Sequence, residues 1–323
     1  MSNISVIIPV FNRPAPLRLA VESALGQTLR PREILIVDDG STDDTPEVIR
    51  GLCRDHPGLV RACRIANSGP GAAREAGRLM AVGEFIQYLD SDDLLAPRKL
   101  ETQSAALLAH PDAAAAYGSI EVKDRRGATV SKRADQALDR ILPGFLLGSW
   151  WPTHAPLWRR ELVEPVGAWL PLWIFEDWEY DCRVGARGHP IVFVPGIMGE
   201  MRDYGRERLS HARRFDRKTL RQRATALSAI TGHVQSAGLA PGLPEVRHFA
   251  SRLFMVAREC AAVGFVGDAR RLFEESGVVA GSPQALGTRY RAFGMLAGAL
   301  GWRLAGCLSV IAENVVPRGN PGR

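Results

Sequence analysis

Phe85-Ile86-Gln87-Tyr88-Leu89-Asp90-Ser91-Asp92-Asp93 is a short apolar run that stops on an acidic turn. Residues 85–89 read as a buried strand, and the acids then fall at its carboxyl end. The same pattern occurs twice upstream. Ile4 to Val10 is apolar throughout but for Ser5, as in a strand covered on both faces, and runs into Phe11-Asn12. Ile34 to Val37 is a second such run and ends on Asp38-Asp39-Gly40-Ser41. Between these runs lie helical patterns. Pro14 and Pro16 open one in which Leu17, Ala20, Val21, Ala24 and Leu25 share a face, and Thr45-Pro46 opens another. A further strand is expected near Leu59 to Arg64, and the loop Asn67 to Gly71 leads into a helix through Ala81. This alternation predicts an α/β fold around a mostly parallel sheet. Ligands bind such sheets beyond the carboxyl ends of the strands, where all three polar motifs fall.

The ligand expected there is a nucleotide, held without the usual glycine cradles. No GxGxxG follows the first strand, and no GxxxxGK[ST] occurs anywhere. Asp90-Ser91-Asp92 offers a different way to meet diphosphate charge. Two carboxylates one residue apart can hold a hard divalent ion whose shell is completed by phosphate oxygens.

Four segments together resemble the family 2 glycosyltransferases. They are Ser5-Val6-Ile7-Ile8-Pro9-Val10-Phe11-Asn12, Ile36 to Asp43, Asn67-Ser68-Gly69-Pro70-Gly71-Ala72-Ala73-Arg74 and Tyr88 to Asp93, in the family's order and spacing. The resemblance covers about residues 3–210. It implies a GT-A fold with a mixed sheet, an inverting and non-processive transfer, a nucleotide diphosphate sugar donor, and Mn²⁺ or Mg²⁺ as cofactor. Its implied roles fall residue by residue. Pro9 and Phe11 would line the base pocket. Asp39 would accept from a ring N–H of the base, which favours uracil and hence UDP, while Asp38 braces the turn. Arg74 would contact the nucleotide or its phosphates, for which a guanidinium fork is suited. Ser91 would sit with the nucleotide. Asp92 would ligate the metal, and Asp90 the metal or the ribose.

Phe175-Glu176-Asp177-Trp178 is similar to the family's Glu-Asp pair at a helix start, with Asp177 at the position of the catalytic base. Single-displacement inversion needs one carboxylate to take the acceptor proton. A helix N-terminus is expected to lower the Asp177 pKa and weaken it as a base. Trp178 could stack on an acceptor sugar, and Glu176 and His154 are further acceptor-side candidates, with Trp150 and Trp151 in the same stretch. Arg202-Asp203-Tyr204 and Ser210-His211 resemble the family's closing segment, though Asp203 interrupts it, which leaves a phosphate or metal contact at His211 open. The QxxRW motif of processive synthases is absent.

With 323 residues, 46% of them apolar and 24% charged, the chain has the composition of an ordinary soluble globular protein. The pattern divides it into a catalytic domain at 1–210 and a helical region at 211–323. The first domain is expected to carry further strands at 113–122 and 191–194 and helices at 138–147 and 176–186. Helices are expected in the second near 213–236, 244–263, 267–276 and 286–313. Five widely spaced cysteines without a CxxC pair, and an N-terminus that enters a strand directly, point to the cytoplasm.

The net charge of +6 is concentrated in nine arginines and lysines between Arg202 and Arg223. That cluster is either a solvated helix face or a dock for anions. No helix-turn-helix, finger or RRM pattern accompanies it, so nucleic acid is not expected as a partner. Phe293 to Ala312 is nearly all apolar but contains Arg303, so it reads as a buried or membrane-surface helix rather than a span. A peripheral position on the inner face of the membrane would suit a lipid-linked acceptor; a glycan or protein hydroxyl is equally compatible. The alternative to an active transferase is a catalytically silent nucleotide-sugar-binding or scaffolding domain.

Overall fold

A computed structural model describes residues 3–202 and 216–315, and the chain divides into two compact units, Met1–Glu207 and Arg208–Arg323. His211 and most of the expected closing segment lie outside the described residues.

In the first unit, nine strands among the described residues form one mixed sheet. Its parallel half is β1 (Ile4–Val10) between β2 (Glu33–Asp38) and β4 (Phe85–Tyr88), with β3 (Val60–Arg64) outside β2. The crossovers are α1 (Pro14–Leu25), α2 (Thr45–Asp55) and α3 (Pro70–Met80), each opened by a proline whose missing N–H costs a first turn nothing. Ile4, Val6, Ile8 and Val10 pack in one core with Leu17, Val21 and Ala24 of α1. On the other face, Gly77 of α3 lies so near Ile7 that a Cβ there would be 2.3 Å from the isoleucine Cγ2. The continuous apolar runs of β1 and β2 are thus explained by cover on both faces.

The sheet becomes mixed beyond β4. The short β8 (Leu157–Arg159) is antiparallel to both β4 and β6 (Ala115–Lys123). Next comes β9 (Ile191–Arg202), parallel to β6, and then β5 (Asp93–Leu95), antiparallel to β9. A hairpin strand, β7 (Thr129–Arg133), pairs only with β6. Helix α4 (Lys99–Ala109) follows β5, α5 (Arg160–Val163) is a single turn after β8, and α6 (Glu176–Gly185) precedes β9.

Several expectations need correction. Residues 138–147 are not a helix; only Gly144–Leu147 makes a 3-10 turn. Pro143 supplies no N–H, and the Leu138 N–H donates to the Tyr117 hydroxyl instead of to a helical carbonyl. The last strand does not stop at Val194. It continues past Pro195 and Gly196 through a register shift, because β5 and β6 flank its second half. Helix α4 and strand β5 escape the sequence pattern.

The second unit is helical among the described residues: α7 (Arg217–Ser236), α8 (Pro244–Ala262), α9 (Val266–Val279), α10 (Gly287–Leu300) and α11 (Trp302–Val315). The single long helix expected at 286–313 is two, broken at Gly301, whose φ of +83° suits glycine. Phe254, Phe273, Tyr290, Phe293 and Trp302 form its aromatic core, with Phe273 and Tyr290 stacked at 4.0 Å. Among the described residues no helix is long and apolar enough to cross a membrane.

Candidate active site

The ends of β1, β2 and β4 and the start of α6 converge on one carboxyl edge. Beyond β1 the ring of Phe11 is 40% exposed, while Pro9 is buried in the strand. Asn12 adopts φ +51°, and its backbone N–H donates to Ser41 Oγ at 3.0 Å, tying the β1 and β2 turns together. Asp38 braces its own turn by accepting from the Ser41 N–H at 2.8 Å.

Asp39 does more than the sequence suggests. Its two carboxylate oxygens accept the backbone N–H groups of Ser68 and Gly69, at 2.7 and 2.9 Å, so it clamps the glycine-rich loop. Burial raises its pKa, and these two bonds only partly offset that. Gly69 and Gly71 are required by what the loop meets. The indole of Trp173 stands 3.1 Å from where a Gly69 Cβ would be, and Leu170 O 2.0 Å from a Gly71 Cβ.

Arg74 is the hub of the site. It is 3% exposed, with Nη2 donating to Asp90 Oδ1 at 2.7 Å and Nη1 to Glu176 Oε1 at 2.6 Å. The guanidinium lies 5.1 Å over Trp169, whose ring stacks on Tyr180 at 4.0 Å and whose Nε1–H donates to the Tyr88 hydroxyl. Arg74 therefore faces carboxylates in this arrangement.

Ser91 is buried between Asp90 and Asp92, and the Asp92 carboxylate pairs with Arg13. Burial, with Asp93 and Asp90 nearby, pushes Asp92 up to about 6 against the pull of Arg13. Asp90 is held below the usual range: burial opposes its charge, and Arg74, then His154 and Arg13, overcome it. These residues fit a divalent ion on two counts. Their donors are hard oxygens, and the like-charge crowding at Asp92 is what a cation relieves. Among the described residues no three acidic, histidine or cysteine groups form a cage, so donor oxygens would have to complete the shell. Arg13, missed from the sequence, directly follows Asn12 of the first motif.

At the start of α6, Glu176 is buried and pushed up to about 7 by desolvation and by Asp177, against Arg74. Asp177 is half-buried, with Oδ1 accepting the Trp178 N–H at 2.7 Å. Its pKa is raised, not lowered as its helix-start position suggests. Burial pushes it up, and Arg74 and the Trp178 N–H only partly offset this.

The acceptor-side candidates fare differently. Trp178 is 1% exposed and its Nε1–H is spent on Phe145 O at 2.6 Å, so it offers no face for stacking. Trp151 is likewise buried, donating to Asp181 at 2.9 Å. His154 is buried beneath Gly199 with Nδ1 3.1 Å from Asp93 Oδ2, and touches no open surface. Glu176 is taken by Arg74. All four are parts of the site's support.

A mixed sheet with acidic turns and a buried carboxylate pair on its carboxyl edge is the GT-A arrangement of nucleotide-sugar transferases. Residues 5–156 match the family model for Glycosyl transferase family 2, and this part of the chain belongs to that family. An uncharacterized glycosyltransferase of Nostoc sp., alr2836, is 35% identical over 170 residues, covering 50% of this chain and 52% of that protein. The chain thus spans about half the length of that relative. Among solved structures, S. aureus TarS 1-349 in complex with UDP-GlcNAc superposes with a TM-score of 0.68 at 19% identity, covering 97% of this chain and 92% of that 1-349 chain. The mannosyltransferase PcManGT from Pyrobaculum calidifontis, in complex with GDP-Man and Mn2+, does so with a TM-score of 0.53 at 17% identity, covering 98% and 88%. At these identities the likeness is one of fold.

Proposed function

We propose that the chain is an inverting, metal-dependent glycosyltransferase that moves one sugar from a UDP-sugar to an acceptor hydroxyl in polysaccharide or glycoconjugate biosynthesis. The observation that carries this reading is the Asp90–Arg74–Glu176 bridge, which joins the donor-side acidic turn to the helix bearing Asp177. A nucleotide-binding module would need the first of these and not the second.

The exposed Phe11 ring provides a stacking face for the base. Asp39, whose oxygens keep lone pairs beyond those used by Ser68 and Gly69, can accept from a uracil N3–H. Asp92 and Asp90 would hold the divalent ion, which supplies positive charge to the departing diphosphate. Asp177 takes the acceptor hydroxyl proton as that oxygen bonds to the anomeric carbon. The old bond from that carbon to phosphate breaks with its electron pair leaving on UDP. A carboxylate raised by burial is a stronger base than an exposed one, and in the ionised state it is suited to that step. Glu176 and Arg74 position rather than react.

Calorimetric titration of UDP with Mn²⁺ and with EDTA, on the wild type and Asp92→Ala, tests the donor half. Binding that needs both the metal and Asp92 is expected. Equal affinity in EDTA, or in the alanine variant, would remove the metal-dependent reading; binding without any donor turnover would leave a silent sugar-nucleotide module.

A further inference from the structure

We infer that the outer face of α10 and α11 is a docking surface for an anionic phospholipid bilayer. Helix α11 is apolar nearly all round, yet only one side of it is covered. Ala305 and Gly306 are buried against α8, where a Cβ on Gly306 would meet Ala262 N at 2.4 Å. The opposite side carries Leu304, Leu308 and Ile311, spaced by four and three residues and 49%, 42% and 58% exposed. A helix that is apolar on every side is ordinarily buried on every side, so this face lacks its solvent. Leu300 continues the patch across the Gly301 break, sharing with Leu304 and Val266 a shallow apolar hollow of about 450 Å³. Leu296, 39% exposed and one turn before Leu300, extends it along α10.

Charge selects the occupant. From residue 276 to 312 there is no aspartate or glutamate, and the three ionised groups are Arg289, Arg291 and Arg303, all exposed; the one acid of the two helices is Glu313, in the last turn of α11. Arg289 stands on the same face of α10 as Leu296 and Leu300, about two and three turns before them, and Arg303 flanks Leu304. From the neighbouring α9, Asp268 is already paired with Arg271 at 2.7 Å. A second copy seated on this face by two-fold symmetry would bring the same unneutralised arginines together. A lipid surface bearing phosphate headgroups neutralises them and takes the leucines into its acyl boundary. Neither helix is long enough to cross, so the geometry is that of a helix pair lying in the interface.

Co-sedimentation of the full chain with phosphatidylcholine vesicles, and with equimolar phosphatidylcholine and phosphatidylglycerol, tests this. Binding is expected only to the anionic vesicles and is expected to weaken as salt rises. Leu304→Glu with Leu308→Glu should abolish it, and Arg289→Gln with Arg303→Gln should weaken it by roughly fivefold per arginine. Both double variants change exposed residues and should melt like the wild type. Unchanged sedimentation of either variant overturns the inference, as does wild-type binding to neither vesicle at low salt. So does a wild-type dimer by light scattering that the glutamates dissociate, since the face would then belong to a second copy.

Discussion

Arg74 and Glu176, 102 residues apart in the chain, meet at 2.6 Å with both side chains buried. The same guanidinium holds Asp90, so one residue of α3 sets the distance between the acidic turn and the start of α6. Replacing it with methionine leaves two buried carboxylates without their cation. Arg74→Met should cost about 3–5 kcal/mol, or roughly 6–20 °C in the melting temperature of a unit this size. Arg74→Lys should recover only part of this, since a point charge cannot span both partners. Calorimetric melting of both variants checks the order.

Asp177→Asn should keep UDP affinity and lower kcat by about 100- to 10 000-fold, the range of a lost general base. Turnover measured beside a donor-binding isotherm separates the two effects. A parallel loss of donor affinity would show that Asp177 also holds the donor turn in place.

Glu176 gives the fold a pH dependence of definite sign. Its ordinary value is 4.5, and in the folded chain it is pushed up to about 7. Between these values the folded state keeps a proton that the unfolded state has released, so stability falls as pH rises through the window. The melting temperature should drop from pH 5 to pH 7, and Glu176→Gln should flatten the slope. An unchanged slope in the glutamine variant would place the effect on Asp92 or Asp177, which are raised as well.

Two glycine substitutions should act in opposite directions. In Gly71→Ala the new Cβ would sit 2.0 Å from Leu170 O, and backbone must move, at a cost of about 1–3 kcal/mol or more. Gly51→Ala, inside α2 with nothing nearer than Arg54 at 3.9 Å, should gain roughly 0.5–1 kcal/mol. Thermal melts of the pair separate crowding from helix propensity.

The parallel half of the sheet was legible because each of its central strands is a continuous apolar run ended by a polar turn, and that contrast survives in one dimension. Asp39, Asp90 and Asp92 stand out in the sequence for the same reason. What pairs across the fold could not. Nothing near Arg74 in sequence points to Glu176, and Arg13 carries no mark of its link to Asp92 beyond following Asn12. Tryptophan content was read as an acceptor platform, but Trp151 and Trp178 are packed with their N–H groups satisfied, a distinction that depends on neighbours far along the chain. The Asp177 shift was misjudged because a helix start can be seen in the sequence and burial cannot. Residues 138–147 lost their helix to a hydroxyl from β6, again a long-range partner.

The glycine-rich loop rests directly on residues 170–173, with the Gly71 N–H donating to Leu172 O at 3.3 Å. From Leu172 only a few residues remain before Asp177. The loop clamped by Asp39 and the helix that carries Asp177 are therefore joined by a short covalent tether as well as by Arg74. Adding or removing a residue within 173–175 would shift that helix against the loop while leaving every side chain of the site intact. In this family such length changes should be tolerated in the β6–β7 hairpin and should be lethal to turnover here.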